Sequence, residues 1–320
     1  MNPMNAGTRL ALYGVGLAVA FGGAFGVAKA VVPADVVTAW TDRSSQMQGH
    51  ENHDTGAATD TVQGVSSSAD GLVLTPVQAP TATGTPGTLA YRIEDTSGAP
   101  LTSFTTTHDR DMHLIVVRSD GSNFRHVHPA LDPRTGTWSL PWTWNQAGTY
   151  RVYADFTPGQ GRGVTLSRTV EVAGDYRPVV PEPTRVSTID GYTVTLRGEV
   201  AAGTASELTF SVERDGRPVT TLQPYLGAFG HLVALRQGDL AFLHVHPDGA
   251  EPGAGATGGP RISFATEVPT AGKYLLYLDF QVDGVVHTAT FVLDAAPGTT
   301  HAPGTSHAPG EPAPAPAHAH

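Results

Sequence analysis

Between residues 71 and 172, apolar and polar positions alternate in short runs at 72–77, 88–94, 113–118, 124–128, 137–143, 149–156 and 164–172. Gly, Pro, Asn and Asp cluster between the runs. A period of two broken by turn residues predicts short antiparallel strands, and seven of them at this spacing predict a β-sandwich. The same order returns at 192–200, 207–213, 231–236, 240–246, 261–267, 273–281 and 285–293. The expected fold is therefore all-β, with two tandem immunoglobulin- or cupredoxin-like antiparallel β-sandwich domains at 71–174 and 184–294. Residues 175–183, DYRPVVPEP, form a proline-stiffened linker. A different pattern opens the chain. Residues 10–27 are apolar and uncharged, and with their flank to residue 32 they are long enough to cross a bilayer. The expectation is one N-terminal transmembrane helix, with a cleaved signal peptide as the alternative because of the small-x-small tripeptide at 28–30. Arg9 on the short leader (1–9) stays cytoplasmic by the positive-inside tendency, which puts the bulk of the chain outside a cell membrane. Residues 33–70 are read as a disordered tether and 295–320 as a disordered His/Pro/Ala tail.

The two halves are an internal repeat. Leu89-Ala90-Tyr91 matches Leu208-Thr209-Phe210, and AGTYRVYADF from Ala147 matches AGKYLLYLDF from Ala271. Six extra residues of the second copy fall in the Gly-rich stretch 248–259. The Gly-x-Tyr entry to the sixth strand predicts a tyrosine corner at Tyr150 and Tyr274, the phenol bonded to backbone just upstream.

The repeat also carries chemistry. HLIVVRSDGSNFRHVHP (113–129) and HLVALRQGDLAFLHVHP (231–247) each place one histidine thirteen residues before a second and fifteen before a third. If Asp120-Gly121 and Gly238-Asp239 are two-residue hairpin loops, His113 lies opposite His128 and Ile115 opposite His126. In the second copy His231 lies opposite His246, and Val233 opposite His244. Opposed residues share a face of the ribbon, so three imidazoles project from one side of each hairpin, close enough to hold one ion. The expectation is two similar metal sites, His113/His126/His128 and His231/His244/His246. Asp155 and Asp279, carboxylates in otherwise apolar strands, are candidates for holding a ligand histidine's N–H or a turn, ahead of direct ligation. His287 and His108 have no counterpart in the other copy and are at most extra ligands. The competing reading is a structural or interaction module whose histidines are hydrogen-bonded core residues. The sequence offers no placed general base or nucleophile beside the triads, so no enzyme is expected.

Composition narrows these choices. A net charge of −10 with no basic run excludes a nucleic-acid partner. The absence of cysteine excludes disulfides, thiolate zinc sites and the His₂Cys blue-copper centre, leaving imidazole, carboxylate or thioether as ligands. Met112, beside His113 on a strand, should face the other way and pack. Further histidines lie in the tether (His50, His53) and tail (His301, His307, His318, His320).

The MHLIVVRSD…FRHVHP block followed by AGTYRVYADF resembles the YtkA-like extracytoplasmic domain family and, more loosely, the cupredoxin-like domains of heavy-metal-handling proteins. The resemblance covers both repeats. It implies a sandwich outside the cytoplasmic membrane and a role in copper handling, without blue-copper electron transfer because the cysteine is missing. The function expected is a membrane-tethered protein that buffers, senses or delivers copper or zinc, with a metal transporter or chaperone as its partner class.

Overall fold

A computed structural model describes residues 62–298 except 244 and 254, together with the backbone but not the side chain of His246. The expected anchor, tether and tail lie outside the described residues, apart from a few residues of the tether's end and the tail's start. Among the described residues every regular element is a strand, and no helix is long and apolar enough to cross a membrane.

The first repeat contains β1 (Ser68–Ala69), β2 (Leu72–Leu74), β3 (Gly87–Asp95), β4 (Phe104–Thr105), β5 (His113–Arg118), β6 (Arg125–Val127), β7 (Ala130–Asp132), β8 (Thr137–Trp142), β9 (Gly148–Pro158) and β10 (Val164–Val172). The second contains β11 (Val186–Ile189), β12 (Tyr192–Arg197), β13 (Ala205–Arg214), β14 (Arg217–Pro218), β15 (His231–Arg236), β16 (Phe242–Leu243), β17 (His246–Pro247), β18 (Arg261–Glu267), β19 (Gly272–Val282) and β20 (Val285–Ala295). Each repeat is a pair of antiparallel sheets. The order is β1-β2-β3-β8-β7 against β10-β9-β5-β6, then β11-β12-β13-β18-β17 against β16-β15-β19-β20. Leu89, Tyr91 and Ile93 alternate inward from β3 onto Leu114, Val116, Val152 and Ala154 of the facing sheet, and Leu208, Phe210 and Val212 do the same onto Leu232, Ala234 and Leu276. Met112 lies in the first of these cores, as its parity predicts. Tyr150 donates to Gln146 O at 2.8 Å and Tyr274 to Thr270 O at 3.0 Å, so both tyrosine corners are present.

One strand of each repeat does not alternate in burial, and the reason sets the architecture. All six residues of β5 are buried. Leu114 and Val116 fill the first core, while Ile115 and Val117 join Tyr153 in a third core with Val233, Leu235, Leu240, Leu275, Tyr277 and Val292 of the second repeat. A strand covered on both faces reads as an unbroken apolar run, as HLIVVR does. The two hairpin sheets therefore pack face to face. Tyr153 donates to Leu240 O and Tyr277 to Gly121 O, each at 2.6 Å, so each repeat pins the hairpin tip of the other. Tyr277 also stacks on Phe124 at 3.9 Å. Replacing Tyr277 with Phe keeps the stack and orphans a carbonyl, so the melting temperature should fall by the equivalent of about 1 kcal/mol; an unchanged melt would mean water takes over the bond.

The hairpin register is as expected, with Ile115 opposite His126 and Leu235 opposite Phe242, but the loops differ from the two-residue form. In the first, Arg118 N donates to Ser122 O and Gly121 N to Arg118 O, a three-residue loop, with Gly121 (φ 84°) supplying the left-handed residue. Asn123 (φ 54°) then adds a bulge residue that restores the pairing a two-residue loop would have made. In the second, Arg236 N donates to Ala241 O across a four-residue loop. The cause is the aspartate. Asp120 accepts from Ser122 N and from the Arg118 guanidinium, and Asp239 accepts from Ala241 N and from Arg236, so both carboxylates organise the tip.

The expected strand 240–246 is also interrupted. β16 pairs with β15, whereas β17 pairs with β18 of the opposite sheet. Likewise β6 pairs with β5 and β7 with β8. The chain thus crosses between sheets at the HVHP motif, where proline cannot donate to a ladder. The short strands β1, β4, β7, β11 and β14 carry too few residues for a periodic signal.

Candidate metal centre

His113 begins β5, His126 lies within β6, and His128 follows one residue after that strand ends. Their face of the hairpin is the one turned toward the other sandwich, on which Ile115 and Phe124 also lie. The ring centroids are 5.3 Å apart for His113 and His126, 5.1 Å for His113 and His128, and 5.0 Å for His126 and His128. One nitrogen from each lies within 4.8 Å of the others. These three can hold a metal ion.

The hydrogen bonds assign the free nitrogens. His113 Nε2 lies 3.0 Å from the carbonyl oxygen of Thr107, which only accepts, so Nε2 carries the proton and the Nδ1 of a neutral ring is a lone pair. His126 Nδ1 lies 2.9 Å from Asp279 Oδ2 and donates to it, which leaves Nε2 as the lone pair of that ring. These two lone-pair nitrogens face each other at 3.0 Å. Such a contact is repulsive until a proton or a cation enters it. Two ligands about 2.0–2.1 Å from a tetrahedral ion lie about 3.3 Å apart, close to the spacing found. The third histidine fits the same picture, because His128 Nε2 is buried without a hydrogen-bond partner among the described residues. A buried orphan nitrogen beside these two converging nitrogens is a donor set that suits a cation.

Burial keeps the His113 and His128 rings neutral. It lowers His113 from 6.5 to about 4, against a smaller upward pull from the Thr107 carbonyl. It lowers His128 to about 3, helped by His126 and His113. Neutral imidazole is the form that binds metal.

Of the second copy's three expected ligands only His231 has a described side chain, and it lies beside the first triad. His231, opposite Asp279 in the β15–β19 pairing, has its ring 4.8 Å from His126 and 5.7 Å from His113. Burial pushes it well below 6.5, and the neighbouring histidines add to this. His244 and the side chain of His246 lie outside the described residues. The reason His231 meets the first triad is the face-to-face packing, which turns both histidine faces toward one space. His108 joins the cluster, 5.7 Å from His231 and 6.1 Å from His113. His287 does not. Its Nδ1 donates to Asp190 at 2.7 Å and its ring packs on Tyr192 and Phe280, because its strand position turns it into the second core. Asp279 is 2% exposed and holds a ligand N–H, although the histidine belongs to the other repeat. Asp155, opposite His113, accepts from Thr165 at 2.7 Å. Sequence reasoning missed Thr107, whose contribution is a backbone carbonyl, and Tyr153 and Tyr277, whose signal was their place in the repeated motif on the histidine face. Asp279→Asn should weaken metal binding about 10–100-fold by releasing the His126 tautomer, measured by competition with a chromophoric chelator.

A family model described as Domain of unknown function (DUF8832) matches residues 67–174 and again 187–297. No curated protein matches the chain. Similar solved structures include a variant of Salmonella alpha-2-macroglobulin at 15% identity, over 76% of this chain and 16% of that one, with a TM-score of 0.23. Yersinia pseudotuberculosis InvD is 11% identical over 73% of this chain and 59% of that one, with a TM-score of 0.23. A two-domain fibronectin type-III segment of chicken tenascin is 12% identical over 69% of this chain and 97% of that one, with a TM-score of 0.19. The chain spans less than two thirds of the length of the macroglobulin and of InvD.

Proposed function

The chain belongs to the DUF8832 family as a tandem pair of its domains, and we propose that it is a metal-binding protein tethered outside a cell membrane. The observation that carries the reading is the convergence of one nitrogen each from His113, His126 and His128 within 4.8 Å of one another, that of His128 buried without a hydrogen-bond partner among the described residues. Copper(II) and zinc are the ions that suit an all-imidazole set, and the affinity order favours copper at equilibrium. The apolar stretch at 10–32 supports the tether, and the resemblance of the HVHP hairpin to YtkA-like domains supports a role in buffering, sensing or delivering copper to a transporter or chaperone.

A second reading, a structural module with core histidines, is favoured by the third hydrophobic core and the two reciprocal tyrosine bonds, which join the sandwiches without an ion. Thermal melting separates the two. With free copper or zinc at about 1,000 times Kd, a folded-state ligand adds about 4 kcal/mol, or roughly 10 °C for a protein of this size. The chain used should have His50, His53, His301, His307, His318 and His320 replaced by alanine, so that terminal histidines do not contribute. A melting temperature that ignores both metals favours the structural module.

A further inference from the structure

The three hairpin histidines leave a tetrahedral ion one position short, and their surroundings supply one more imidazole. Four imidazoles bound through nitrogens about 2.0–2.1 Å from a tetrahedral ion have ring centroids about 5.2 Å apart. His113, His126 and His128 are separated by 5.0–5.3 Å, and His231 stands 4.8 Å from His126 and 5.7 Å from His113, near that spacing for two of the three rings, while the nitrogens within 4.8 Å of one another are those of the first three. Neither ring nitrogen of His231 has a hydrogen bond among the described residues. It begins β15, directly opposite Asp279 of β19, the residue that orients His126.

We infer that His231 of the second sandwich is the fourth ligand of the ion held by His113, His126 and His128 of the first, so that the chain carries one closed interdomain centre. The inference rests on the metal-binding reading above and deepens it. It replaces two equivalent three-histidine sites with one, because a His231 committed to the first triad is lost to the second. It also closes the coordination sphere, as in sites that carry or clamp an ion rather than those that keep a position open for substrate. A closed centre with ligands from both sandwiches makes metal occupancy and the docking of the two sandwiches one event. The ion then ties the far ends of an interface that the tyrosines already pin at the hairpin tips.

The test uses the full-length chain with its six terminal histidines replaced by alanine, loaded with one equivalent of zinc. Zinc K-edge absorption should give four imidazole nitrogens. His231→Ala and His231→Gln should each remove one imidazole from that shell and weaken zinc at least about 100-fold in chelator competition. Circular dichroism of the metal-free variants checks folding, and the glutamine variant preserves bulk if alanine unfolds. Zinc bound with unchanged affinity and ligand count in both variants, or two tight equivalents in the parent chain, overturns the interdomain centre and leaves a three-histidine site standing. No zinc bound by the parent chain overturns both.

Discussion

Replacing His128 with alanine is expected to abolish tight metal binding, a loss of at least about 100-fold or 2.7 kcal/mol, while leaving the metal-free protein as stable as before. The two halves of that result come from one atom. His128 Nε2 is buried and makes no hydrogen bond among the described residues, so in the metal-free state its removal breaks no bond and relieves the cost of an unsatisfied polar group. In the proposed metal-bound state the same nitrogen is a ligand. His126→Ala affects both states, because it also leaves the buried Asp279 carboxylate, which accepts the His126 N–H, with Thr288 as its remaining partner. Isothermal titration with zinc and a metal-free thermal melt of both variants check this. If His128→Ala binds metal as tightly as the parent, the orphan nitrogen is not a ligand. If it instead lowers the metal-free melt by several kcal/mol, the histidine is a packing residue and the structural-module reading gains.

The second large effect is the acid sensitivity of the metal-free protein. The folded-state pKa of His113 lies at about 4, below its ordinary 6.5, because burial penalises the imidazolium. Below pH 6.5 the unfolded chain therefore takes up a proton that the folded chain refuses. The stability His113 confers is complete above pH 6.5, falls as the pH drops, and stops falling below about 4. For a side chain that is 4% exposed the difference is on the order of 3 kcal/mol. His128 and His231 shift in the same direction and add to the loss, His128 down to about pH 3. Melts from pH 7.5 to 4 should show a drop on the order of 10 °C, concentrated below pH 6.5. Saturating metal should delay the drop, since protons and the ion compete for the same nitrogens. A flat melting temperature across this range would mean the rings protonate in place without penalty.

Much of this arrangement was legible in the chain, and the parts that were not share a cause. The alternation in residues such as Leu89, Tyr91 and Ile93 predicts strands because one face of a sheet is wet. The histidine register survives errors in the loop, since Asn123 returns the residue that the longer turn at Ser119, Asp120 and Gly121 removes. What the sequence did not reveal is what the histidine face meets. Periodicity reports that a face is apolar, and it is silent on whether solvent, a partner or a second copy of the domain covers it. The unbroken burial of HLIVVR was the available clue, because only a strand covered on both sides dispenses with polar positions. Once the faces meet, His231 joins the first triad and Asp279 reaches His126 of the other repeat. His287 misled for the opposite reason, as residue type alone carries no direction and its partner Asp190 lies 97 residues away.

The measurement that tests the central claim most directly is the zinc and copper stoichiometry of the full-length chain with its six terminal histidines replaced, by equilibrium dialysis and elemental mass spectrometry at pH 7.5. The account predicts one tightly bound ion per chain, lost when His128 becomes alanine. No bound ion, or an ion retained by His128→Ala, would contradict it.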